Sequence, residues 1–140
     1  MNFELLSFGD LGLIKAGMSR DRVRTILGEN FEEFFKVEDS IVPTDAYDDL
    51  GLHVYYLENH NIEGVEFLKW SNFFWGSQRL VGVGSHEVQS FLERAGEVLE
   101  FNSSGYYLNR LGLRFYVPDI REDDALVEAV YVVFSDEQPI

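Results

Sequence analysis

Val23, Ile26 and Leu27 recur at i, i+3 and i+4 behind Ser19, a spacing that predicts a short amphipathic helix. A serine at that point accepts from an unpaired amide of the first turn, and Gly28 is placed to end the helix. Val88, Phe91, Leu92 and Ala95 repeat the pattern, with Gly96 as the stop. Elsewhere the apolar period falls to two. Residues 52–57 and 113–117 alternate, and 34–37, 63–68, 98–101 and 126–134 are short β-prone runs. Pro43, the Asn59-His60-Asn61 segment and residues 118–124 separate them as turns or loops.

The two helix patterns belong to a longer self-similarity. Residues 17–27 lie over 82–92, with Gly17/Gly82, Val23/Val88 and Leu27/Leu92 identical. Leu50-Gly51-Leu52-His53-Val54-Tyr55 matches Leu111-Gly112-Leu113-Arg114-Phe115-Tyr116, and Ile62-Glu63-Gly64-Val65 lies over Val127-Glu128-Ala129-Val130. Three matches in one order read as a duplication. The expected organisation is a first helix–sheet repeat over 1–69, an aromatic junction over 70–79 and a second repeat over 80–140. The expected class is α+β: two tandem helix–antiparallel-sheet repeats forming one curved sheet with helices on one face. Units of 60–70 residues bury little alone, so the two are expected to share a sheet or pack tightly.

Gly17-Met18-Ser19, Val23 and Ile26-Leu27-Gly28 resemble the helix signature of the BamE/SmpA-OmlA-like group, and Ile62-Glu63-Gly64-Val65-Glu66-Phe67 fills the place of its closing strand. Two such units in tandem resemble the β-lactamase inhibitor protein fold and small bacterial proteins of the toxin-immunity type. The chain contains no cysteine. The lipoprotein anchor of the first group and the disulfides of the second therefore do not carry over. What the resemblance implies is the fold and a binding role.

Alternation assigns Leu52, Val54, Tyr56, Leu113, Phe115, Val117, Val65, Phe67, Val130, Val132 and Phe134 to the core. It leaves His53, Tyr55, Glu66, Arg114, Tyr116 and Tyr131 on the opposite face. Aromatics with arginine are the composition of interface hot spots, and half-exposed strands also favour aromatics for cross-strand packing. In the junction, Trp70, Phe73, Phe74 and Trp75 crowd into six positions. They either fix the angle between the repeats or present a ring or two, Trp70 or Trp75, to a partner.

The net charge of −14, from 25 acidic and 11 basic side chains, argues against nucleic acid or an anionic membrane as partner. It favours a basic protein partner, with Asp48 and Asp49 as part of an electrostatic landing rim. A content of 46% hydrophobic and 15% aromatic residues excludes a disordered acidic tail. Asp45, Asp48 and Asp49 lack a calcium-loop pattern, so no metal or other cofactor is expected. No nucleophile elbow, phosphate loop or zinc-binding helix motif occurs. A hydrolase would need His53 to find a nucleophile, and no enzymatic activity is expected. The N-terminal segment lacks the pattern of a secretory signal, so a soluble, cytoplasmic protein is expected. These features point to a non-enzymatic protein-binding module, most concretely an immunity protein or inhibitor that occludes a basic toxin such as a nuclease. The second reading is a small-ligand or envelope-stress binding protein that uses the sheet concavity. The identity of the target and the oligomeric state are not encoded in any motif.

Overall fold

The computed structural model describes residues 1–135; residues 136–140 of the expected second segment lie outside the described residues. The chain runs β1 (Phe3–Glu4), α1 (Arg20–Leu27), β2 (Glu32–Phe34), β3 (Thr44–Tyr47), β4 (Leu52–Tyr56), β5 (Ile62–Leu68), β6 (Phe73–Trp75), β7 (Gln78–Arg79), α2 (Ser85–Arg94), β8 (Glu100–Asn102), β9 (Gly105–Leu108), β10 (Leu113–Tyr116) and β11 (Ala129–Val133). The capping residues act as their chemistry dictates. The Ser19 hydroxyl accepts from the Arg22 amide, and Gly28 takes a φ of 94°, which costs glycine little and other residues a clash. Each helix buries the stripe that its spacing marks: Val23 and Leu27 in α1, Val88 and Leu92 in α2.

Eight strands form one antiparallel sheet in the order β2-β3-β4-β5-β11-β10-β9-β8. Its centre is the β5–β11 pair, where Val65 faces Val132 and Glu66 faces Tyr131. Segments distant in sequence therefore meet in one sheet, and β2 and β8 are its free edges. A second sheet, β1-β6-β7, pairs the N-terminus in parallel with the junction, Phe3 against Phe73. It joins the same core: Phe67 of β5 stacks on Phe73 at 4.1 Å and meets Phe3 at 5.3 Å. A single apolar cluster takes residues from both sheets and both helices.

The expected fold class is thereby corrected. Among the described residues 36% are strand and only 13% helical, in two short helices and two sheets, not helix–sheet repeats with helices lying on one face of a single sheet. Three strands carry most of the difference. β3 is buried at every position, so it shows no alternation. β9 begins in Gly105 directly after two serines, a turn-like composition. β6 pairs with its neighbour β7 and also with the distant β1, and no local period reveals the second pairing. The aromatic junction is therefore part of a sheet.

Candidate functional site

Cross-strand register brings the predicted face together. Directly opposed residues project to the same side of a sheet, and one row runs Glu32, Ala46, His53, Glu66, Tyr131, Arg114, Tyr107, Glu100 across all eight strands. Of the expected residues, His53, Glu66, Tyr131 and Arg114 share this row. Tyr55 lies in the row on one side, opposite Gly64, and Tyr116 in the row on the other, between Ala129 and Gly105. The alternate positions Leu52, Val54, Val65, Phe67, Leu113, Phe115, Val130 and Val132 are buried on the opposite face.

The face is knit by ring and ion contacts. His53 Nδ1 lies 3.4 Å from Glu66 Oε1, and the Tyr55 hydroxyl donates to the same oxygen at 3.3 Å. The hydrogen bond from His53, more than any other cause, holds the Glu66 carboxyl below its ordinary range. The rings of Tyr55 and Tyr131 meet at 5.8 Å. Lys36 stands over the Tyr55 ring at 5.0 Å and Arg114 over the Tyr131 ring at 5.8 Å, so a cation caps each end of the tyrosine pair. Burial first, and nearby carboxylates second, push both phenols well above their usual value. They remain protonated donors and are poor nucleophiles. His53 packs edge-on against Phe34 at 5.3 Å. Its partners are thus a carboxylate and a phenyl ring, and among the described residues it pairs with no hydroxyl nucleophile.

The acidic turn and the junction tryptophans sit elsewhere. Asp48 and Asp49 occupy the β3–β4 turn, where Asn30 donates to Asp49 at 2.6 Å. Trp70 donates its indole N–H to the Asp48 carbonyl at 2.8 Å and remains 54% exposed, so the turn and this ring form one surface at an end of the sheet. Trp75 is turned away from that surface, packing edge-on against Phe91 of α2 at 5.8 Å.

Asp45 belongs to neither cluster. It is fully buried and accepts two bonds from Arg24, at 2.8 and 2.7 Å, and one from Tyr56 at 3.2 Å. This pairing pushes the Arg24 guanidinium further above its ordinary value. Asp45 is therefore spent on the core and is separated from Asp48 and Asp49. Among the described residues no three His, Asp or Glu side chains are placed to hold a metal ion.

Sequence reasoning missed Lys36, Phe34, Tyr107 and Gly64. Residue 34 was legible within a short β-prone run, but Lys36 lies beyond the end of β2, and only the fold brings the two beside His53 and Tyr55. No helix among the described residues is long and apolar enough to cross a membrane. No family model matches the chain, and no curated protein or solved structure matches it.

Proposed function

We propose that the chain is a non-enzymatic protein-binding module whose open sheet face receives a basic protein partner. The observation that carries this reading is the cross-strand row. It carries the rings of His53, Tyr131 and Tyr107, with Arg114 beside Tyr131, and it has carboxylates at its middle, Glu66, and at its two edges, Glu32 and Glu100. Central aromatic anchors inside a polar rim are the anatomy of protein interfaces. The net charge of −14 adds long-range attraction for a basic surface. The face is also broad and open, the shape suited to covering a partner. On this reading inhibition works by occlusion. The acidic rim steers the partner in, and the ring-rich centre covers a site that is basic because it handles phosphate. A toxin nuclease met in the cytoplasm is the most concrete partner of that chemistry.

The test is co-purification from the cells that make the protein. A basic protein should be retained at low salt, released as salt rises, and lost when Tyr55→Ala and Tyr116→Ala remove rings from the face. Retention that is indifferent to salt and to both substitutions contradicts the reading.

A further inference from the structure

Arg114 is a cation without an anion in a chain that carries 25 carboxylate side chains. Its guanidinium rests over the Tyr131 ring, and among the described residues it has neither an ion pair nor a hydrogen-bond partner. Three nearby carboxylates are committed elsewhere. Glu66 is held by His53 and Tyr55, Glu100 accepts from the Tyr107 hydroxyl, and Glu128 pairs with Lys69 at 3.5 Å.

Beside Arg114 the face sinks into a groove of about 460 Å³, within the range of about 300–1,000 Å³ usual for small-ligand sites. Register explains the depression: Tyr116 is flanked across the sheet by Ala129 and Gly105, two residues with almost no side chain. The rings of Tyr107, Tyr116 and Tyr131 wall it, and Asn102, Ser104 and Asn109 line its rim. The Tyr116 hydroxyl, the Ser104 hydroxyl and the amide N–H groups of Asn102 and Asn109 have no partner among the described residues. The groove therefore offers one fork of charged donors, several neutral donors and aromatic walls, while Glu66, the carboxylate that lines it, is already engaged.

We infer that this groove binds a small carboxylate carrying an aromatic or similarly flat apolar body, with Arg114 gripping the carboxylate and the tyrosine rings holding the body. A guanidinium matches a carboxylate in two parallel hydrogen bonds. One cation suits one negative charge, and a multiply charged phosphate would meet the uncompensated charge of the whole chain. The inference goes beyond the protein-partner reading and does not depend on it.

Phenylacetate is the probe, with phenylacetamide as the uncharged match and acetate as the carboxylate without a ring. Binding is followed by nitrogen-edited NMR of the Arg114 Nε–Hε group and by the ring signals of Tyr107, Tyr116 and Tyr131. Phenylacetate should shift these signals saturably, and the amide and acetate should each bind at least about tenfold more weakly. Arg114→Lys keeps the charge but loses the fork, and should weaken phenylacetate about tenfold. Tyr116→Ala should weaken it without any change of charge. The methyl signals of Val65 and Val132 report whether each variant keeps its fold. Equal binding of acid and amide, saturable shifts mapping to another surface, or no saturation at tens of millimolar would each overturn the assignment.

Discussion

The end of the Tyr131 ring occupies the space that a side chain at Gly64 would need. A Cβ added there would sit 2.5 Å from Tyr131 Cζ and 2.6 Å from the Val132 carbonyl oxygen. The two residues are diagonal neighbours across the central β5–β11 pair. The missing side chain at Gly64 is what lets Tyr131 lie along the sheet, meet Tyr55 and support Arg114.

Gly64→Ala should therefore destabilise the fold by about 1–3 kcal/mol, the usual cost of overpacking. Tyr131→Ala in the same background should relieve part of that cost, because the ring leaves while the carbonyl contact stays. Urea unfolding of the two single variants and the double variant measures the coupling. Additive effects would mean that the ring moves aside freely.

Arg24 and Asp45 make a second prediction. Arg24→Leu strands a carboxylate that is fully buried, so it should cost about 3 kcal/mol or more. Tyr56→Phe removes one of several bonds to the same carboxylate and should cost about 1 kcal/mol. The urea midpoint should fall in that order with an unchanged slope.

Acid should weaken the His53–Glu66 contact. The Glu66 carboxyl is depressed in the fold from its ordinary value of 4.5, the His53 hydrogen bond being the first cause. Its proton is therefore bound more readily by the unfolded chain. The stability gained is complete above the unfolded value and is lost as pH falls through the folded one. Between about pH 5 and about pH 3 the parent should lose more stability than Glu66→Gln. His53→Ala should flatten the profile in the same way. Identical acid profiles for parent and variants would show that the contact adds nothing.

Much of the face was legible because period two is a local signal: the identities of residues 52–56 and 113–116 suffice to separate buried Val54 and Phe115 from His53 and Arg114. The helices were legible because Ser19, Gly28 and the apolar spacing act within a few residues of one another. What escaped depends on distant partners. The three-stranded sheet requires Phe3 to find Phe73. The uniform burial of Thr44–Tyr47 erases the alternation that would mark a strand. Asp45 read as part of an acidic loop because only the fold brings Arg24 and Tyr56 to it. The groove escaped as well, since it arises from Ala129 and Gly105 standing on either side of Tyr116.

The open face as a docking surface is tested most directly by association and dissociation kinetics with the partner recovered by co-purification. Tyr116 is half exposed beside the central row of the face, whereas Asp48 and Asp49 lie in a turn at the end of the sheet. Tyr116→Ala should chiefly raise the dissociation rate, by about 2 kcal/mol for a hot spot, and Tyr55→Ala should act in the same direction. Neutralising Asp48 and Asp49 should chiefly slow association, an effect that fades as salt screens charges beyond about 8–10 Å. If both tyrosine variants dissociate at the parental rate, the partner does not dock on this face and the account of it is wrong.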